Sequence, residues 1–67
     1  MTLDNFTATM IAEGNYELAG LDPQDVTEDI VISAWQHLIS TGLAWRLQGY
    51  FGRTAAALIN AGHCVRV

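Results

Sequence analysis

The chain has 67 residues, enough for one small domain, with 51% hydrophobic and 15% charged residues. A charged share well below the usual quarter or so argues against intrinsic disorder and for a folded unit. The net charge is −4 and there is no lysine, a poor starting point for neutralising nucleic-acid phosphates, so direct DNA or RNA binding is disfavoured.

A core built from so short a chain offsets conformational entropy only narrowly and often has added support. Cys64 is the single cysteine, which excludes an internal disulfide and suits a reducing cytosol. A structural zinc takes about four Cys or His ligands, and only His37, His63 and Cys64 exist, without zinc spacing. Oligomerisation or a partner is the remaining expected support. No apolar run approaches the roughly 18 residues of a membrane span, and Met1–Gly14 lacks a leader pattern, so a soluble intracellular protein is expected.

The sequence predicts an all-α bundle of three to four helices, read here from the N-terminus. The first spans about 3–13, capped by Thr2 or Asp4, with Leu3, Phe6, Met10 and Ile11 on its apolar face. A loop follows over 15–21. Asp22-Pro23, with Asp25 behind it, has the cap, first-turn proline and acidic first turn of a helix start, so a second helix is expected over 23–41. A short helical turn over 43–48 ends at Gly49, and a last helix covers 51–61 with the run Ala55-Ala56-Ala57. Three segments share one ending: Met10 to Gly14, Leu38 to Gly42 and Leu58 to Gly62 each place a glycine after a helical stretch. Glycine enters the left-handed region without a Cβ penalty, so each is expected to stop a helix.

On a wheel at about 100° per residue, Val26, Ile30, Val31, Ile32, Ala34, Trp35, Leu38 and Ile39 cover an arc of roughly 240°. That exceeds the stripe of an ordinary amphipathic helix, so the second helix is either central in its bundle or offers a face to a partner. Val31, Ile32, Trp35 and Ile39 are the expected contributors to such a face. Trp45, Tyr50 and Phe51 flank the Gly49–Thr54 turn, and with Trp35 they are either contact anchors or core. The turn itself reads as structural; the alternatives are that Arg53 pairs with a carboxylate of the first half or of a partner, or completes an anion site there. The turn matches neither phosphate-loop nor dinucleotide spacing, and it lacks the strands and basic setting of a KH module.

Charge divides sharply along the chain: Asp4, Glu13, Glu17, Asp22, Asp25, Glu28 and Asp29 precede residue 30, whereas Arg46, Arg53 and Arg66 follow it. Complementary halves suit alignment within the fold or between copies, and acids also simply favour helix N-termini. His37 at the edge of the apolar arc reads as a packed histidine, with a pH switch as the rarer alternative. No nucleophile, base and orienting group assemble from the residues present, so neither catalysis nor a cofactor is expected.

Leu38 to Cys64, LISTGLAWRLQGYFGRTAAALINAGHC, resembles a segment of short proteins encoded by tailed bacteriophages. In that group an LI-x-TGLAW-x-LQG stretch precedes a GRTA helix start and an LI-x-x-G-x-C ending. The resemblance covers 27 of the 67 residues, and Ser40, Arg46 and His63 depart from it. It implies a phage protein of the host cytoplasm and attaches no activity. The expected function is a protein–protein interaction module that binds a host protein, with a homo-oligomeric structural role as the alternative.

Overall fold

The computed structural model describes residues 3–67, and these form three α-helices and two 3-10 turns with no strand among the described residues. Helix α1 covers Asn5–Glu13. Asp4 caps it, its carboxylate accepting the Thr7 backbone N–H at 2.7 Å; Thr2, the alternative cap, lies outside the described residues. The bond from Thr7 holds the Asp4 carboxyl below its ordinary pKa of 3.8. A pKa lowered on folding stabilises α1 above pH 3.8, and that support is lost as pH falls through the depressed value. Protection of the Thr7 amide against exchange, taken relative to its intrinsic rate at each pH, is therefore expected to fall below pH 3.8, and Asp4→Asn, which keeps the cap without the charge, should remove that fall.

The buried face of α1 is Ala8, Ile11 and Ala12, spaced i, i+3, i+4. Phe6, expected in the core, is 60% exposed. It sits about 160° round the helix from Ala8, and the two alanines let α1 lie close on its neighbour without it.

The single helix expected over 23–41 is two elements. Pro23–Asp25 is a 3-10 turn, Val26 is extended, and α2 covers Glu28–Ser40. Two start signals compete. Asp22 accepts the Gln24 N–H at 3.0 Å, and five residues later the Thr27 hydroxyl accepts the Ile30 N–H at 3.3 Å ahead of Glu28 and Asp29. Val26 and Thr27 are β-branched and lose little by staying extended between the two caps.

Leu43–Trp45 forms the second 3-10 turn, shorter than the 43–48 expected, and α3 covers Gly49–Asn60. Gly49 starts α3 where the sequence suggested a break. Arg53 Nη1 comes within 2.9 Å of where a Cβ on Gly49 would stand, so the glycine leaves room for the guanidinium to fold back along its own helix. The three glycine endings stand as expected: Gly14, Gly42 and Gly62 have φ of 82°, 80° and 84°. At Gly14 and Gly62 the following amides, Asn15 and His63, reach back to Met10 and Leu58 at 2.8 and 2.9 Å, closing the paired bonds of a Schellman ending.

Helices α1 and α2 pack together, and the end of α2 meets the start of α1, where His37 Nε2 lies 2.9 Å from Asn5 Oδ1. Phe51 and Ala55 of α3 and the buried Cys64 complete the core. Helix α2 is thus central, which accounts for its wide apolar arc. Ala8, Ala34, Ala44 and Ala55 are fully buried, and such small side chains let backbones approach closely. The exposed surface is 4170 Å², against about 4,200 Å² for an average monomer of this mass, so the single chain hides an ordinary share of itself.

Candidate functional site

The face that the sequence assigned to contacts divides in two. Trp35, Ile39 and Phe51 are only 3%, 2% and 6% exposed, so they are core and not surface in the single chain. The rings of Trp35, Tyr50 and Phe51 pack together: Trp35 stands 5.8 Å from Phe51 and 6.2 Å from Tyr50, and Tyr50 meets Phe51 edge-on at 5.2 Å. Val31 and Ile32 are half-buried against that core. Trp45, Tyr50 and Arg53 remain outward, Trp45 at 40% and Tyr50 at 48% exposure.

Local chemistry explains why Trp45 is outside. Gly42 turns the chain in the left-handed region, the 3-10 turn buries Ala44 completely, and the next side chain leaves on the open side. Gly52 lies beneath the indole: a Cβ there would rest 3.7 Å from Trp45 Cε3. The guanidinium of Arg66 lies over the ring, 4.7 Å from its centroid. Tyr50 sits at the start of α3, with its hydroxyl 3.4 Å from the Ala12 carbonyl of α1.

Arg66 is held there by a clamp that sequence reasoning missed. The Gln36 carboxamide of α2 donates to the Val65 carbonyl and accepts the Val65 N–H, both at 2.9 Å. Ser40 Oγ, one turn along α2, accepts from the same Gln36 nitrogen at 3.1 Å and orients it. Hydrogen bonds between exposed groups contribute about 0.5–1.5 kcal/mol each. An exposed cation–π stack adds about 0.5–1 kcal/mol, whereas ordering each backbone residue costs about 1–2 kcal/mol. With Val65 and Val67 at 66% and 84% exposure, the last three residues are seated with little net margin.

The remaining candidates have structural places. His37 is half-buried and ties α2 to α1 through Asn5. Cys64 is 4% exposed, its thiol 3.9 Å from the Ile32 carbonyl, and burial raises its pKa above the ordinary 9.0. A pKa raised on folding leaves stability intact below pH 9.0 and lowers it as pH rises further. Native protein at pH 8 is therefore expected to react with iodoacetamide about tenfold or more slowly than protein in denaturant. Equal rates would show the thiol to be accessible. Among the described residues no group of three His, Cys, Asp or Glu side chains could hold a metal ion. No helix among them is long and apolar enough to cross a membrane.

A family model described as a domain of unknown function, DUF7417, matches residues 5–66. The chain belongs to the DUF7417 family. The DUF7417 unit takes in the whole helical fold from α1 to the Arg66 that covers Trp45, and so exceeds the Leu38–Cys64 segment at both ends. No match was found among curated proteins or among solved structures.

Proposed function

We propose that this chain is a non-catalytic protein–protein interaction module of a tailed bacteriophage that binds a host protein in the host cytoplasm. The observation that carries the reading is the outward pair Trp45 and Tyr50, with Arg53 on the same helix as Tyr50 and Arg66 on the indole itself. Trp, Tyr and Arg are the residues that most often dominate binding energy at interfaces. The Tyr50 ring packs on Trp35 and Phe51 and the Trp45 indole on Gly52, so little further freedom is lost when a partner binds them. The phage and host parts of the proposal rest on the Leu38–Cys64 resemblance.

The test is the native mass of the tagged chain taken from the cells in which it is made. A foreign component beside the 7.3 kDa chain supports the module. A whole-number multiple of the chain mass supports a homo-oligomeric scaffold, and a bare monomer at every stage of growth rejects both.

A further inference from the structure

The clamp on the C-terminal tail has the chemistry of a peptide site. A carboxamide offers one donor and one acceptor side by side, the pair that a neighbouring β-strand presents, so Gln36 holds the Val65 backbone without regard to its side chain. The Ser40 contact fixes the amide in advance. One residue further, the open face of Trp45 takes a cation, for which the planar guanidinium of arginine is the best fit. Val65 and Val67 point largely to water, so burial does not anchor the tail. The tail can also leave without opening the core. His63 and Cys64 keep their own bonds to the Leu58 carbonyl, at 2.9 and 3.2 Å, and Cys64 stays buried.

We propose that the Gln36–Trp45 groove is a binding site for an extended, arginine-bearing segment of a partner protein, and that Val65–Arg66–Val67 is the cover this segment displaces. The inference rests on the interaction-module reading and states the chemistry of its partner. The net charge of −4 favours the approach of a cationic segment. While the tail is seated, the groove's apparent affinity falls by the fraction of time it stands open.

The test uses the full chain and the synthetic peptide acetyl-Ala-Val-Arg-Val-amide, followed by tryptophan fluorescence and by the NMR signals of the Gln36 side-chain amide. Arg66→Ala removes the tail's cation, and Val65→Pro removes the N–H that Gln36 accepts. Both are expected to bind the peptide about two- to fivefold more tightly than the unaltered chain, the gain that a weakly seated tail allows. Adding Gln36→Ala to Arg66→Ala should abolish that gain, and acetyl-Ala-Val-Glu-Val-amide should bind no variant. Arg66 is exposed, so its variant keeps the test open if Val65→Pro fails to fold. Equal binding by variant and unaltered chain, no binding by Arg66→Ala, or equal binding of the Glu peptide overturns the groove. Lost exchange with a foreign partner still in the native mass removes the groove and leaves the module standing. Peptide exchange with a bare monomer mass does the reverse.

Discussion

Trp35→Ala is expected to unfold the isolated chain. The side chain is 3% exposed and packs on Phe51 and Tyr50, so truncation loses its apolar burial and leaves a cavity, at a cost of about 3–5 kcal/mol. A domain of this length has about 3–10 kcal/mol in total. Thermal melting by circular dichroism checks this: the midpoint should fall by tens of degrees or the transition should vanish. A midpoint within a few degrees of the unaltered chain would place Trp35 outside the core and return it to the contact face that its helix position suggested.

Trp45→Ala should do the opposite. The indole is 40% exposed and lies over Gly52, so its removal leaves no enclosed cavity, and the stability change should be about 1 kcal/mol or less. Partner capture should suffer instead. Truncating an aromatic hot spot costs about 2 kcal/mol or more, near thirtyfold in affinity. The chain recovered with Trp45→Ala should therefore have lost its foreign component while keeping the helical spectrum and melting midpoint of the unaltered protein. An unchanged native mass would remove Trp45 from the interface, whereas loss of helicity would make it a core residue. The two tryptophans thus form one paired experiment, in which the same substitution separates packing from recognition.

Much of the helical frame was legible because its signals are local. Asp4, the residues around Gly14, Gly42 and Gly62, and the alanine-rich last helix act through bonds that span only a few residues. Where local signals competed, sequence reasoning chose one. Asp22-Pro23 was read as the start of a long helix, although Thr27 also caps one and the β-branched pair Val26-Thr27 lets the chain stay extended between them. The face of α1 was misjudged because Phe6 outweighs Ala8 and Ala12 in hydrophobicity, whereas close packing of α1 on α2 selected the small residues.

The sequence by itself determined an all-helical chain, its three glycine stops, its acidic first half and arginine-bearing second half, and the set of aromatics from which core and surface are drawn. It could not assign those aromatics, because a helical wheel ranks directions within one helix and carries no information about which neighbours occupy them. Only the tertiary structure decided that Trp35 and Phe51 go inside and Trp45 and Tyr50 stay out: α1 and the second 3-10 turn close on α2, and α3 reaches it through the rings of Tyr50 and Phe51 against Trp35. The Gln36–Val65 clamp joins residues 29 apart through a side-chain amide and a backbone peptide group, a pairing with no sequence periodicity. It exists because α3 returns the C-terminus to the flank of α2, where it brings Arg66 onto Trp45.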